Sequence, residues 1–392
     1  MESVEHYDAI VVGCGFAGAV VAHEIAKNGG KVLILERPNH VAGNMYDATD
    51  DSGILVHRYG PHIFHTNDVK VFDFLRPFSA WFRYEHRVLA RIKGRLVPLP
   101  FGFKSLETLF EKREAEIIKS RLLKRFEDRF KVSILDLITC DDDVIRSFGD
   151  FVYEHVFAHY SAKQWGVPVE QVDRSVIDRV PVVLGYDDRY FHDAIQWMPR
   201  GGFTELFCRM LSVPGISVEL GRDATRIIEV HPERGRVLVH GRPWQKALVY
   251  TGPIDELFGY RFGTLPYRSL DLLFERHPVD EFQPVAVVNY PNEEEFTRIT
   301  EFKHLTGQRA SRRTTILKDY PLAYDASSSK GNIPYYPVIN DENRRKYARY
   351  KDLADRCKNV YLCGRLADYT YYNMDAIVAK ALQVAKEVKF AA

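Results

Sequence analysis

The feature that most constrains this fold is the sequence G-C-G-F-A-G at residues 13–18, between an apolar run at residues 8–13 and helical spacing at residues 16–28. The run KVLIL at residues 31–35 predicts a second strand, so the N-terminus has the pattern of a βαβ unit. In such a unit the first glycine allows a tight turn, the second lets the backbone approach a pyrophosphate, and the third lets helix and strand pack closely. We therefore expect a Rossmann-like dinucleotide-binding domain.

Glu36 closes the second predicted strand at the offset where an acidic residue binds a ribose hydroxyl. A carboxylate at this position disfavours a 2′-phosphate, so NADP is not expected at this site. A glycine-rich turn can also be purely structural, but the strand, helix and acid together favour a ligand. The helix N-terminus adds free N–H groups and a dipole that suit phosphate.

Other segments resemble the flavoprotein family related to glutathione reductase and the amine oxidases. Arg37 and the glycine turn at Gly43 follow Glu36, a strand ends at Thr251-Gly252, and Gly364-Arg365 precedes a terminal helix. This resemblance favours FAD over NAD. A second G-x-G-x-x-G is lacking in the sequence, so a separate NAD(P)H domain, and with it net redox turnover, is not expected.

Composition limits the class of protein. The chain has 392 residues, of which 46% are hydrophobic, enough to bury the cores of two or three structural units. There are 54 basic and 53 acidic residues, and this balance argues against nucleic-acid or membrane-surface partners. The longest apolar run, residues 9–22, contains three glycines and is too short to span a bilayer. Five scattered cysteines indicate reduced thiols, so we expect a cytoplasmic protein without membrane insertion.

The texture of the sequence changes along the chain. Apolar residues near four-residue steps at residues 106–130 predict amphipathic helices within an insertion that we expect to form a lid. Strands are predicted at residues 215–228, 236–251 and 360–365, and a closing helix at 375–388. The expected class is α/β: a Rossmann-like FAD-binding domain with a helical insertion and a β-sheet substrate domain. The expected bounds are 1–68, 209–259 and 337–392 for the FAD-binding domain, 104–169 for the lid, and 69–103, 170–208 and 260–336 for an antiparallel-sheet substrate domain.

Several motifs follow one another in a fixed order along most of the chain. They are Gly60-Pro61-His62-Ile63-Phe64-His65-Thr66, Tyr160-Ser161-Ala162-Lys163-Gln164-Trp165-Gly166, Arg179-Val180-Pro181-Val182, Tyr186-Asp187-Asp188-Arg189-Tyr190-Phe191, Met198-Pro199-Arg200-Gly201-Gly202-Phe203, Tyr267-Arg268-Ser269-Leu270, Thr297-Arg298-Ile299-Thr300-Glu301, Pro334-Tyr335-Tyr336-Pro337 and Gly364-Arg365-Leu366. Taken together, they closely resemble the bacterial UDP-galactopyranose mutases. A set of motifs in one order is far more specific than any single motif.

The resemblance implies an isomerase with no net redox change. N5 of reduced FAD attacks the anomeric carbon and expels UDP, the sugar opens as an iminium on N5, and it recloses through a different hydroxyl before UDP returns. The substrate implied is UDP-galactose, interconverted between its pyranose and furanose forms for cell-surface polysaccharide. NAD(P)H or another reductant would supply the electrons, and the family suggests a homo-oligomer. The sequence offers no Ser-His-Asp set, no Cys-His set and no metal-ligand cluster that would suggest another chemistry.

The resemblance also assigns roles to residues. Arg179 and Arg298 would clamp the pyrophosphate with the planar fork that suits phosphate oxygens, and His65 would orient or tune the flavin rather than shuttle protons. The other expected substrate-binding residues are Phe157, Tyr160 against uracil, Ser161, Gln164, Trp165 at the mobile edge, Tyr190, Arg268, Asn289, Tyr336, Tyr371 and His86. The expected cofactor-binding residues are Gly13, Gly15, Phe16, Ala17, Gly18, Glu36, Arg37, Gly43, Asn44, His62, Ile63, Gly364, Arg365, Asn373 and Met374. Outside their motifs these would read as core aromatics, surface charges or satisfied histidines.

Four positions depart from the family pattern. Asn373 stands where the family usually has Asp, His86 where it has Asn, Val156 where an aromatic residue or Leu is common, and Ala42 where the glycine turn begins. The first two fall near the sugar or flavin, so the same chemistry on a 6-deoxy or acetamido hexose, or on another nucleotide, is an alternative. A flavin oxidoreductase of the amine-oxidase type and a non-catalytic nucleotide-sugar binder are weaker ones.

Overall fold

The computed structural model describes residues 4–166, 181–309 and 312–388. Its α-helices are α1 (Phe16–Lys27), α2 (Val69–Leu75), α3 (Phe103–Leu109), α4 (Lys112–Arg125), α5 (Ile134–Ile138), α6 (Asp143–Val152), α7 (His159–Trp165), α8 (Gly202–Leu211), α9 (Ile254–Leu257), α10 (Phe302–Thr306), α11 (Asp341–Asp355) and α12 (Met374–Glu387). A π-helix, Tyr153–Ala158, joins α6 to α7. Single 3₁₀ turns lie at Val4–His6, Gly43–Met45, Arg76–Phe78, Ala224–Arg226 and Pro232–Arg234.

The strands fall into separate sheets. They are β1 (Ala9–Val12), β2 (Val32–Leu35), β3 (Asp47–Thr49), β4 (Leu55–His57), β5 (Phe64–Thr66), β6 (Trp81–Arg83), β7 (Val88–Ile92), β8 (Arg95–Leu99), β9 (Lys131–Val132), β10 (Val182–Val183), β11 (Ile195–Pro199), β12 (Ile216–Glu219), β13 (Ile228–His231), β14 (Arg236–Val239), β15 (Arg242–Trp244), β16 (Ala247–Tyr250), β17 (Tyr267–His277), β18 (Val287–Asn289), β19 (Arg298–Glu301), β20 (Thr314–Ala323), β21 (Tyr336–Pro337) and β22 (Val360–Leu362).

The first large sheet is parallel, with strand order β12-β2-β1-β16-β22. Every residue of β2 and β16 is buried, as expected for strands covered on both faces. Helices α1 and α12 pack against each other. The strand–turn–helix–strand pattern at the N-terminus is therefore confirmed, and the fold is α/β with a Rossmann-like domain.

The second large sheet has the order β21-β17-β20-β19-β18-β7-β8. Its longest pairing joins β17 to β20, from Arg268 opposite Ala323 to His277 opposite Thr314. All neighbouring strands are antiparallel except β18 and β7. The expected antiparallel sheet is thus mixed at this place, because the chain leaves after the β7–β8 hairpin and returns as β18 by a long crossover.

After β8 the chain forms the helical unit, residues 103–165. Amphipathic helices were predicted here and are observed. Helix α6 begins at an N-cap, Asp142, whose carboxylate accepts hydrogen bonds from two backbone N–H groups, and it buries Ile145, Phe148, Gly149 and Val152. The short β9–β10 pair ties the unit to the chain beyond it.

Two predicted strands are wrong in part. The strand expected at 215–228 ends at Glu219, because the Asp223 side chain accepts from the backbone N–H of Thr225 and starts a 3₁₀ turn. The strand expected at 236–251 is three strands, β14, β15 and β16. Helix α8 packs on α1 although part of it falls within residues 170–208. The division into domains stays a prediction.

In the parts of the chain that the structure describes, α-helices are all too short or too polar to cross a bilayer.

We predict that Gly149→Ala destabilises the helical unit. A Cβ at this position would lie 2.8 Å from Leu137 Cβ and 2.9 Å from Leu137 C, so helices α5 and α6 would have to separate. Overpacking of this kind lowers the free energy of unfolding by about 1–3 kcal/mol, which outweighs the gain in helix propensity of at most ~1 kcal/mol.

The matched control is Gly185→Ala, where the nearest atom to a new Cβ, Phe130 Cε2, is 3.7 Å away. Thermal unfolding followed by circular dichroism compares the two variants with the parent. Equal melting temperatures for both variants would contradict the tight packing of α5 on α6.

Candidate active site

The glycine turn after β1 forms a cradle of bare backbone. Gly13 has a φ of +98°, and a Cβ there would lie 2.0 Å from Thr251 Oγ1. A Cβ at Gly43 would lie 3.0 Å from Gly15 Cα, so two loops meet here only because side chains are missing. Helix α1 begins directly after Gly15, which has no side chain to cap its first turn. The backbone N–H groups in the first turn of α1 are therefore available to a pyrophosphate.

Three strand ends meet at this cradle. Gly13 follows β1, Thr251 follows β16 and Gly364 follows β22, and a Cβ at Gly364 would lie 3.3 Å from Thr251 O. The carboxyl edge of a parallel sheet is where dinucleotides bind in such folds. Helix α12 begins at Met374, and the side chain of its N-cap residue Asn373 makes no capping hydrogen bond.

Glu36 is a buried carboxylate beside the glycine turn. One of its oxygens accepts from Cys14 N at 2.5 Å and the other from Arg37 N at 3.0 Å. Burial raises the pKa of Glu36 to about 7, although both N–H groups oppose this shift. Hydroxyl donors from a ribose would favour the charged carboxylate in the same way.

Arg37 is engaged by protein acids. Its guanidinium lies 2.7 Å from Glu256 Oε1 and 3.2 Å from Asp223 Oδ1. Burial opposes the charge, but Glu256 and then Asp223 outweigh it and raise the pKa of Arg37. Contact between Arg37 and a cofactor stays a prediction.

His62 carries an unpaired nitrogen. Its Nδ1 is buried and has no hydrogen-bond partner within the described residues, while its backbone N–H donates to His57 Nδ1 at 3.1 Å. Burial, then His57, Arg365 and Arg298, lower the pKa of His62, so the ring is neutral. His62 is thus a neutral imidazole near Arg365 and Arg298, and its contact with a flavin stays a prediction. The cradle and the uncapped start of α1 together fit a dinucleotide such as FAD.

Arg298 is held by a buried acid. It lies opposite Asp319 on neighbouring strands β19 and β20, and its Nε donates to Asp319 Oδ2. Burial opposes the charge of Arg298, but Asp319 outweighs it and raises the pKa of the guanidinium. Within the described residues the two terminal nitrogens make no hydrogen bond and are left for an anion, and Gly60 leaves the space beside one of them open.

Tyrosines surround this guanidinium. Tyr160, Tyr190 and Tyr336 interact electrostatically with Arg298, and burial raises the pKa of each phenol. Within the described residues their hydroxyls have no hydrogen-bond partner, so they can donate to a ligand. Tyr336 stacks on Tyr371 with ring centroids 5.5 Å apart.

A second guanidinium supports these rings. Arg365 lies 5.0 Å from the centroid of Tyr336 and 4.8 Å from that of Tyr371. It donates to the carbonyls of Tyr335 at 3.1 Å and Tyr372 at 2.7 Å. Arg365 is therefore committed to main-chain carbonyls, and Arg298 with the phenols near it remains to suit a diphosphate.

The C-terminal end of the helical unit borders the same region. The π-helix changes the direction in which the side chains before α7 point. Phe157 of the π-helix and Ser161 of α7 are buried, and Trp165 at the end of α7 packs against the core. Single π-turns inside helices are frequent at functional sites. Tyr160 interacts electrostatically with Arg298, and its contact with uracil stays a prediction.

Two cations hold α7 against β17 and the segment that follows β18. Lys163 Nζ donates to the carbonyls of Tyr290 at 2.6 Å and Glu294 at 2.8 Å. Arg268, from β17, donates to the carbonyls of Gln164 at 2.8 Å and Lys163 at 3.3 Å. The guanidinium of Arg268 is therefore committed to the end of a helix, and its contact with a substrate stays a prediction.

A third part of the site contains two imidazoles. His86 is buried and its Nδ1 lies 3.3 Å from the Tyr84 hydroxyl. Burial, then Arg298 and His65, lower the pKa of His86 to about 3, so this ring is neutral. His65 Nδ1 lies 2.8 Å from Asp193 Oδ2, and its ring stacks on Phe191.

The structure brings Tyr160, Tyr190, Tyr336 and His86 near Arg298. Asn289 is buried and lies opposite Arg298 on β18. Arg179 lies outside the described residues. The sequence analysis missed Asp319 and Asp193, and only Asp319 carried a signal: it is an acid in the middle of an apolar strand, after Ile316 and Leu317. The roles of all these residues stay predictions.

Comparison with known proteins agrees with this arrangement. Residues 155–371 match the family model for UDP-galactopyranose mutase, and residues 11–78 match the model for an NAD(P)-binding Rossmann-like domain. A UDP-galactopyranose mutase of Mycoplasma pneumoniae is 37% identical over 97% of this chain and 96% of its own. A dTDP-fucopyranose mutase of Escherichia coli is 31% identical over 96% of this chain and 97% of its own.

Among solved structures, a crystal structure of reduced UDP-galactopyranose mutase matches with a TM-score of 0.73 and 16% identity, covering 97% of this chain and 95% of the other. That likeness concerns the fold. The sequence relatives and the family model carry the assignment: this chain belongs to the UDP-galactopyranose mutase family of isomerases.

Proposed function

We propose that the protein interconverts UDP-galactopyranose and UDP-galactofuranose with FAD as cofactor and without net redox change. The observation that carries the proposal is Arg298, held through Nε by Asp319 with its two terminal nitrogens left for an anion. The leaving group of this reaction is a nucleoside diphosphate, which a planar guanidinium binds with two parallel hydrogen bonds.

The cradle at Gly13, Gly15 and Gly43 would hold FAD, which in its reduced form would supply a nucleophile for this chemistry. The task of the protein is then to stabilise the charge that develops on the diphosphate. Arg298 and the phenols of Tyr160, Tyr190 and Tyr336 serve this role, with Arg179 as the second clamp. Since the donors are already oriented, little reorganisation is needed as charge develops.

The hexose is the second question. His86 offers a neutral imidazole and Asn373 a neutral amide at positions where the family pattern has Asn and Asp. A sugar lacking one hydroxyl, or a thymidine nucleotide as in the name of the Escherichia coli relative, is therefore the alternative substrate. UDP-galactose is the first choice because the Mycoplasma relative of higher identity carries that name.

The remaining parts of the proposal are cellular. A nucleotide-sugar substrate and five cysteines without a disulfide among the described residues suit a reducing cytoplasm. NAD(P)H or another reductant would keep the flavin reduced, a homo-oligomer is expected, and the product would serve cell-surface polysaccharide.

We predict that the purified protein converts UDP-galactofuranose to the pyranose form only when its flavin is reduced. The protein is incubated with the substrate with and without dithionite, and the two ring forms are separated by chromatography. Conversion in the reduced sample alone is expected, because oxidised flavin lacks the electron pair needed for attack.

The control is a parallel incubation with dTDP-fucofuranose. Faster conversion of this sugar would keep the chemistry and change the substrate. Reduction of oxidised flavin by substrate under argon would instead point to a net oxidoreductase.

We predict that Arg298→Lys lowers kcat by about 10²-fold to 10³-fold, the usual effect of removing one oriented donor to a developing anion. Lysine keeps a charge beside Asp319 but loses the planar fork. Steady-state kinetics on the reduced protein measure the change, and the flavin absorption spectrum reports the integrity of the fold.

Arg276→Lys is the matched control, since Arg276 lies on β17 of the same sheet and pairs with the exposed Asp51 at 2.7 Å. A kcat for Arg298→Lys equal to that of the control would remove Arg298 from the proposed mechanism.

A further inference from the structure

The segment at residues 364–372, between strand β22 and helix α12, carries two of the predicted site residues, Arg365 and Tyr371. We call this segment the Arg–Tyr loop. Its first residue, Gly364, lies at the glycine cradle, where a Cβ would come 3.3 Å from Thr251 O. Near its other end, Tyr371 stacks on Tyr336. The loop therefore runs from the cradle to the tyrosines of the substrate side.

One carboxylate oxygen joins the two ends of the Arg–Tyr loop. Asp368 Oδ2 accepts from Gly364 N at 3.1 Å and from the Tyr372 hydroxyl, also at 3.1 Å. Within the loop, Asp368 N donates to Gly364 O at 2.8 Å and Thr370 N donates to Arg365 O at 3.1 Å. Asp368 is thus the side chain that ties the first residue of the loop to the last.

The middle of the loop is held in an uncommon conformation. Tyr369 has a φ of +47°, in the left-handed region that a bulky residue seldom adopts. Its hydroxyl makes hydrogen bonds with the carbonyl oxygens of Pro266, at 2.8 Å, and Val338, at 2.9 Å, and its ring packs edge-on against Tyr267. Such a conformation persists only where its surroundings hold it. The loop is therefore constrained in its middle as well as at its ends.

These constraints act directly on Tyr371. The next residue, Tyr372, is held twice, because its carbonyl accepts from Arg365 Nη2 at 2.7 Å and its hydroxyl donates to Asp368. Tyr371 lies flat against Tyr336, with an angle of 13° between the rings, and the Arg365 guanidinium lies 4.8 Å from the centroid of Tyr371. The position of Tyr371 thus depends on how the main chain beside it is fixed.

The register of the second large sheet places Tyr336 on the same face as Arg298. Tyr336 lies opposite Arg268 on β17, and Leu272 of β17 lies opposite Asp319, which in turn lies opposite Arg298. Directly paired residues share a face of a sheet, and every second residue of a strand returns to that face. The Arg–Tyr loop therefore packs Tyr371 on the face of the sheet that carries Arg298.

We propose that Asp368 is a positioning residue for the diphosphate site, because it keeps Tyr371 stacked on Tyr336 by joining Gly364 to Tyr372. The inference rests on the proposed function, in which Tyr371 is one of the donors to the diphosphate of the nucleotide sugar. Asp368 acts through Tyr371 and not on the substrate itself. The task requires an acceptor oxygen at this place and not a negative charge, so an amide of the same length can perform it.

The first test reads the surroundings of Tyr371 without any substrate. Fluorotyrosine is introduced at residue 371 of the FAD-loaded protein, and its ¹⁹F NMR shift is measured in the parent, Asp368→Asn and Asp368→Leu. Asparagine keeps the acceptor oxygen, whereas leucine has a similar size and no acceptor. We expect one shift for the parent and Asp368→Asn, and a shift nearer that of free fluorotyrosine for Asp368→Leu. The same shift in all three proteins would overturn the proposal.

The second test measures the coupling between Asp368 and Tyr371 in the binding of UDP to the FAD-loaded protein. Asp368→Leu and Tyr371→Phe should each raise the Kd by about 10-fold to 100-fold, the usual effect of losing a hydrogen bond to a charged group. The double variant should bind UDP as Tyr371→Phe does, because Asp368 acts through the hydroxyl that is already missing. A double variant whose loss equals the product of the two single losses would show that the residues act independently and would overturn the role.

Two further variants separate positioning from general damage to the fold. Asp368→Asn should bind UDP as the parent does, and a loss as large as that of Asp368→Leu would contradict the proposal. Asp271→Leu is the matched control, since Asp271 pairs with Lys330 at 2.6 Å and, as the residue before Leu272, faces the other side of β17. Its Kd for UDP should equal that of the parent.

The two hypotheses fail differently. A parent protein that converts no nucleotide sugar defeats the proposed function and leaves the ¹⁹F comparison valid as a test of the loop. A parent protein that is active, with an unchanged ¹⁹F shift in Asp368→Leu, defeats only the positioning role of Asp368.

Discussion

The site depends on one ion pair between neighbouring strands. Arg298 and Asp319 are paired in the register of β19 and β20, and Asp319 is almost completely buried. Burying two charges is unfavourable unless their geometry is good, so such a pair contributes little to stability by itself. Its value is geometric, because the carboxylate takes Nε and turns the rest of the guanidinium toward the tyrosines. The strands thus set the direction of the fork.

The dinucleotide cradle is built on a different constraint. The loops come so close that a Cβ at Gly13 would meet the Thr251 side chain at 2.0 Å, and a Cβ at Gly43 or Gly364 would meet a backbone atom within 3.3 Å. The loops can approach because parallel strands end together at one edge of the sheet. The site therefore depends on two different features. One is the ion pair between neighbouring antiparallel strands, and the other is the set of glycines at the ends of the parallel strands.

Sequence reasoning reached the features that are local. The glycine spacing predicts the cradle, and apolar spacing predicts the helices at residues 103–165. Sequence reasoning did not predict contacts between distant parts of the chain, such as His65 with Asp193, which lie 128 residues apart. Nor did it foresee that Arg268 binds carbonyls at the end of α7, since a motif does not reveal what a side chain faces. The strand predicted at residues 215–228 is wrong in length for a local reason, because the Asp223 side chain caps a 3₁₀ turn within that range.

The anchoring of α7 has a consequence for how the sequence can change. Lys163 binds the carbonyls of Tyr290, Glu294 and Phe296, and Arg268 binds carbonyls as well. Both cations bind main-chain carbonyls, so their contacts do not depend on which side chains the segment carries. Substitutions within residues 290–296 that keep the path of the main chain therefore leave the position of α7 unchanged. Lys163 and Arg268 themselves cannot be replaced in this way, because their side chains make the contacts.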